Sequence, residues 1–124
     1  MQDERIIFLA LRARNYEATT RFYRDVLGVP FEQEDHSDEG PHNEYSWHNP
    51  YFHFAIFPAG EDEEATRTEL AFGVNDVRGI HRKAVAEGVR VVEAPHQKTW
   101  GFGAEYVDPD GNRVGVYERG AAKV

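Results

Sequence analysis

Thr99-Trp100-Gly101-Phe102-Gly103-Ala104-Glu105-Tyr106-Val107-Asp108-Pro109-Asp110-Gly111-Asn112-Arg113-Val114-Gly115-Val116-Tyr117 is the stretch that decides the fold. Asp-Pro followed by Asp-Gly-Asn is a dense turn signal. Proline fixes φ, glycine permits φ > 0, and Asx side chains bond the local backbone. Residues 104–107 and 114–117 flank the turn as short strands, so the segment predicts a β-hairpin. Upstream, Trp-Gly-Phe-Gly sets two large rings beside two glycines, where a backbone or a flat ligand can come close. An ordinary hairpin with a tryptophan packed on its turn satisfies the same residues.

Ahead of the hairpin, residues 68–74 predict a strand. Asn75 or Asp76 caps a helix carrying Val77, Ile80 and Ala84, Gly88 ends it, and residues 89–93 form a further strand. Residues 58–67 are polar and acidic without an apolar period, and read as a linker. Before the linker the same grammar occurs. Residues 5–12 are an apolar run of strand length, and Asn15 is placed as a helix N-cap. Ala18, Phe22 and Val26 lie four apart with Tyr23 and Leu27 beside them, and Gly28 stands at the helix end. Residues 29–34 predict a strand and 35–43 an acidic loop. Residues 44–47 and 51–57 predict two strands joined by a His48-Asn49-Pro50 turn.

The halves superimpose in register. Leu9-Ala10-Leu11 matches Leu70-Ala71-Phe72, 61 residues on; Gly28, the 48–50 turn and Gly60 match Gly88, the 108–110 turn and Gly120, each 60 on. This predicts a tandem duplication and an α+β fold, with paired βαβββ modules (1–57 and 68–124) forming a curved mixed sheet with a concave ligand cleft. Each module's own helix covers one sheet face. The opposite face must be buried by the other module or a second chain, and a concave surface lined by both repeats makes a ligand cleft.

With 124 residues and 16 aromatics (8 Phe, 6 Tyr, 2 Trp) the chain has enough apolar material for a core. A net charge of −8 argues against nucleic acid or an anionic membrane as partner. There is no cysteine for a disulfide, thiol nucleophile or thiolate metal site. No apolar run reaches membrane-span or signal-peptide length, so a cytoplasmic protein is expected.

Arg21-Phe22-Tyr23-Arg24-Asp25-Val26-Leu27-Gly28-Val29, Asn75-Asp76-Val77 and Asp108-Pro109-Asp110-Gly111-Asn112 together carry a resemblance over residues 6–118. The chain resembles the vicinal oxygen chelate superfamily of glyoxalases, bleomycin-resistance proteins and extradiol dioxygenases. Gln97-Lys98-Thr99-Trp100-Gly101 is similar to the bleomycin-resistance branch, where a Trp-Gly before this hairpin lines the drug cleft. The resemblance implies a homodimer and a small-molecule ligand. It also implies metal ligands at four places, which here fall on Phe8, Ala55, Glu69 and Gly115. One carboxylate does not hold a catalytic divalent ion, which takes about three protein ligands. No metal and no cofactor are therefore expected.

His53 lies two residues before Ala55, on the same strand face, where it could pair with Glu69 across the cleft. A packed or hydrogen-bonded histidine, a ligand-recognising one, and a catalytic or metal-binding one all remain open readings. His36, His42 and His48 read as solvated loop or turn residues, His81 as exposed on a polar helix side, and His96 as a loop residue near the cleft mouth. Alternation gives a cleft floor of Ala10, Ala55, Ala71, Gly73 and Gly115. The expected ligand contacts are Phe8, Trp47, His53, Ala55, Phe57, Glu69, Trp100, Phe102, Gly115 and Tyr117. Small residues that only let two sheets pack closely would leave no cavity.

Three functions compete. The first is metal-independent binding of a hydrophobic or aromatic molecule, extending by resemblance to antibiotic sequestration. The second is a metal-dependent glyoxalase-type lyase, isomerase or dioxygenase. The third is a metal-free enzyme with Glu69 or His53 as general base. Serine chemistry has little support: the two serines are Ser37 and Ser46, and neither sits in a nucleophile elbow.

Overall fold

In the computed structural model, which describes residues 5–36, 40–99 and 101–118, the chain divides into two units, Met1–Thr66 and Arg67–Val124. The first contains β1 (Phe8–Ala13), α1 (Tyr16–Arg21) running on into a π-helical segment Phe22–Val26, β2 (Glu32–His36), β3 (Gly40–His48) and β4 (Tyr51–Pro58). The second contains β5 (Glu69–Val74), α2 (Val77–Ala86), β6 (Arg90–Lys98), β7 (Gly101–Val107) and β8 (Arg113–Glu118). The sheet orders are β1-β4-β3-β2 and β5-β8-β7-β6, each with its first strand parallel to its last and the rest antiparallel. This is an α+β fold of tandem βαβββ modules. Register repeats as well as order: Phe8 pairs with His53 and Ala10 with Ala55, as Glu69 pairs with Arg113 and Ala71 with Gly115.

Gly28 and Gly88 end the two helical segments at φ of +90° and +74°. No atom lies within 4 Å of where a Cβ would stand at either, so backbone conformation alone selects glycine there. In the first unit Phe22, Tyr23 and Val26 bury themselves on the face carrying Leu11, Phe54 and Ile56. The Tyr23 ring meets Phe54 edge-on at 5.4 Å. In the second, Asp76 caps α2 by accepting from the Gly79 amide at 3.0 Å, which turns Val77, Ile80 and Ala84 onto the sheet core.

The Asp108–Asn112 turn forms as its composition predicts. Asp108 Oδ1 accepts the Asp110 and Asn112 amides, each at 2.9 Å, and Oδ2 accepts Asn112 Nδ2 at 2.8 Å. Asn112 Oδ1 accepts the Thr68 amide at 2.7 Å and so anchors the turn to the start of β5.

Three sequence expectations are corrected. Residues 40–43 are not loop but the first part of β3, and β2 lies at Glu32–His36. This segment lacks apolar alternation; its pairing comes from backbone ladder bonds between Gln33 and Asn43 and between Glu34 and His42. His96 belongs to β6, which extends to Lys98 and absorbs Pro95 through register shifts between Val91 and His96. His81 is half-buried rather than exposed, its Nδ1 2.8 Å from the Tyr106 hydroxyl. The linker, for its part, lies along β1. The Thr66 amide donates to the Arg12 carbonyl at 2.8 Å, and the Ala59 amide to that of Ala13 at 2.9 Å.

Burial pushes the Tyr106 phenol up to about 12 from 10.0. The folded state thus holds this proton more tightly than the unfolded chain. Stability from this group is complete below pH 10 and falls as pH rises towards 12, by on the order of 1 kcal/mol at pH 11. Phenolate absorbance should show the Tyr106 ionisation displaced well above pH 10. Ionisation near pH 10 without unfolding would contradict the burial argument.

Candidate functional site

The first sheet's face turned away from its helix carries Phe8, Ala10 and Arg12 on β1, His53, Ala55 and Phe57 on β4, and Ser46, Glu44 and His42 on β3. Ala55 lies directly across from Glu44, and its single methyl leaves room for His53 to lean diagonally towards that carboxylate. His53 Nε2 is 3.0 Å from Glu44 Oε1, and Nδ1 is 2.7 Å from Ser46 Oγ. An ionised carboxylate only accepts, so Nε2 carries the hydrogen. The neutral ring's Nδ1 then offers its lone pair to the Ser46 hydroxyl.

His42 completes the network and overturns the solvated reading. It is 1% exposed, stacks on Phe57 with centroids 4.2 Å apart, and brings Nε2 to 2.8 Å from the same Glu44 Oε1. Its Nδ1 lies 2.9 Å from the Gly40 carbonyl.

Beside this network a row of rings crosses the face. Phe8 stacks on His53 with centroids 5.2 Å apart, and Tyr51 lies 6.5 Å away on a nearly parallel plane. Phe8 and Tyr51 are 48% and 40% exposed, and the Tyr51 hydroxyl is 3.5 Å from His53 Nδ1. A cavity of about 250 Å³ adjoins, lined by Glu32, Glu44, Tyr45, Ser46 and His48.

Other expected contacts fall elsewhere. Trp47 pairs with Phe52 and packs edge-on against Tyr45, on the opposite face from His53 and Ala55. Phe57 is walled in by His42, with the Arg12 guanidinium 4.3 Å from its ring centre. Phe102 lies on the helix side of β7 with the Arg78 guanidinium 4.6 Å from its ring centre. Trp100, His36's side chain and Ser37 lie outside the described residues.

The corresponding face of the second unit is filled from within. The Tyr117 ring lies over Gly103 and Gly115; a Cβ at Gly103 would stand 2.6 Å from the Val116 carbonyl oxygen, and one at Gly115 3.0 Å from Tyr117 Cε2. The charges there are mutually paired. Arg113 Nε bonds Glu105 Oε2 at 2.7 Å, and Lys98 bonds Glu93, which lowers the Glu93 carboxyl and raises the Lys98 ammonium. Glu69 is exposed at the start of β5, opposite Arg113.

Of the four positions where the resemblance implies metal ligands, Phe8, Ala55 and Gly115 offer no donor side chain. Among the described residues, no group of three or more His, Asp or Glu is placed to hold an ion. These residues do not fit a chelated divalent metal.

Paired βαβββ modules with this strand order define the fold class. A family model described as the Glyoxalase/Bleomycin resistance protein/Dioxygenase superfamily matches residues 5–116, and the chain belongs to that superfamily. No curated protein matches it. Among solved structures, it is similar to TnmS3, an antibiotic binding protein from Streptomyces sp. CB03234. That match has 18% identity and a TM-score of 0.74, covering 95% of this chain and 98% of that one. It is similar to oxidase ChaP-H2 at 20% identity and a TM-score of 0.72, covering 95% of each chain. Lactoylglutathione lyase from Agrobacterium tumefaciens matches at 20% identity and a TM-score of 0.64, covering 96% of each. At these identities the likeness shows the fold. No helix among the described residues is long and apolar enough to cross a membrane.

Proposed function

We propose that this chain binds a flat aromatic small molecule, without a metal, on the helix-free face of its first unit. The observation that carries the reading is the row of nearly parallel rings formed by Phe8, His53 and Tyr51, whose outer members remain exposed. Exposed stacked rings offer π-faces and apolar area to a planar guest, and the adjoining cavity supplies polar groups that orient it. A fold shared with an antibiotic binding protein makes antibiotic sequestration the natural extension of this reading. The working form is taken to be a homodimer, which light scattering measures directly.

Calorimetry against a panel of polycyclic aromatic antibiotics and simple fused-ring compounds tests the proposal. At least one should bind, and Phe8→Ala should weaken it about tenfold, the scale of one aromatic stacking contact. Uniform absence of heat, or binding indifferent to Phe8→Ala, would refute it. A second reading, a metal-free enzyme, draws support from the polarised contacts of His53 and is developed next.

A further inference from the structure

We propose that Ser46, His53 and Glu44 form a nucleophilic relay, and that the chain hydrolyses small aromatic carboxylic esters. The requirements of such a site are a nucleophile bonded to a base, a group orienting that base, a donor for the developing oxyanion, and access for substrate. Each has a counterpart on one face of the first unit. Ser46 Oγ lies 2.7 Å from His53 Nδ1, and His53 Nε2 lies 3.0 Å from Glu44 Oε1. The roles of the two ring nitrogens are the reverse of those in the familiar serine hydrolases; either nitrogen serves as base once the other is held by a carboxylate. The Tyr51 hydroxyl, 3.5 Å from the same Nδ1, is the nearby donor. Ser46 and Glu44 both line the cavity of about 250 Å³, so substrate reaches the nucleophile from there.

The reaction balances without any co-reactant beyond water. Ser46 Oγ attacks the ester carbonyl carbon as its proton passes to His53 Nδ1. Glu44 retains the Nε2 hydrogen bond and stabilises the imidazolium. The carbonyl oxygen takes up the electron pair and accepts from Tyr51. Collapse breaks the bond to the alcohol oxygen, which leaves with the proton from Nδ1. Water then repeats the sequence at the acyl-serine and releases the acid. Glu32 and Glu44 at the cavity wall disfavour anionic acyl groups, and the exposed Phe8 ring favours an aromatic portion on the ester. Ser46 and His53 are the catalytic residues, and Glu44 is a positioning residue.

The full chain is assayed with p-nitrophenyl acetate and p-nitrophenyl benzoate. A burst of about one nitrophenolate per chain is expected, with the acyl group found on Ser46 by peptide mass spectrometry. Ser46→Ala should abolish the burst and lower kcat/KM on the order of a hundredfold or more, while the protein keeps its circular-dichroism spectrum and still binds a fused-ring compound in a manner sensitive to Phe8→Ala. That separates this proposal from the binding reading. Glu44→Gln should lower kcat more than it raises KM and shift the pH-rate profile. Tyr51→Phe should slow kcat roughly tenfold or more at constant KM. The relay is overturned if hydrolysis does not exceed buffer, if the acyl group sits only on lysine or tyrosine, or if Ser46→Ala retains the wild-type rate.

Discussion

Asp108→Ala is expected to destabilise the chain by roughly 3 to 4 kcal/mol. The carboxylate is 3% exposed and accepts two backbone amides and the Asn112 side-chain amide. Removing it leaves those donors in a closed turn that water enters poorly, and each unmet donor costs on the order of 1–3 kcal/mol. The damage spreads, because Asn112 is also the residue that accepts the Thr68 amide and fixes the start of β5. Asp108→Asn makes a discriminating control. One oxygen keeps both backbone bonds, while the new amide nitrogen confronts Asn112 Nδ2 donor to donor, so about half the loss is expected. Urea unfolding monitored by circular dichroism reads both values from midpoint shifts at constant slope. A loss below about 1 kcal/mol for the alanine variant would mean that the turn does not hold the second unit together.

Glu44→Ala should cost about 2 to 3 kcal/mol. It deprives two imidazoles of one shared oxygen, and His42 has almost no exposure through which water could take over. A hydrogen bond to a charged acceptor is worth roughly 1.5–3 kcal/mol, and with the Glu44 side chain 20% exposed the loss of both falls short of their sum. The same variant frees His53 from its orienting partner, so imidazole nitrogen resonances should lose the single-tautomer pattern that the wild-type geometry imposes. Unchanged stability together with an unchanged tautomer would show that the carboxylate does not organise this face.

Much of the architecture was legible because local chemistry dictated it. Gly28 and Gly88 mark helix ends by the positive φ they adopt, and Asp-Pro-Asp-Gly-Asn specifies its turn from its own side chains. Strand β2 and the beginning of β3 were not legible, since Glu32–His36 and Gly40-Pro41-His42-Asn43 have no apolar alternation and owe their conformation to each other. The burial of His42 is hidden in the sequence for a related reason. Its burial depends on Phe57, 15 residues away in sequence, and on a carboxylate two positions along a strand that the sequence did not disclose. Ser46 carries no strand-to-helix elbow in the sequence; its closeness to His53 comes from direct cross-strand pairing, which a local motif does not disclose. Trp47 was within reach of sequence reasoning: the short 48–51 connection pairs it with Phe52, and alternation then sets it on the far side from His53.

The repeated register supplies the molecule with its own internal reference. Ala55 and Gly115 occupy equivalent rungs of the two ladders, one beside a leaning imidazole and the other beneath a folded-over phenol. An identical side chain introduced at each rung would meet two surroundings within a single polypeptide. Differences between the outcomes would then report the neighbouring groups, since chain length and solvent are the same for both rungs.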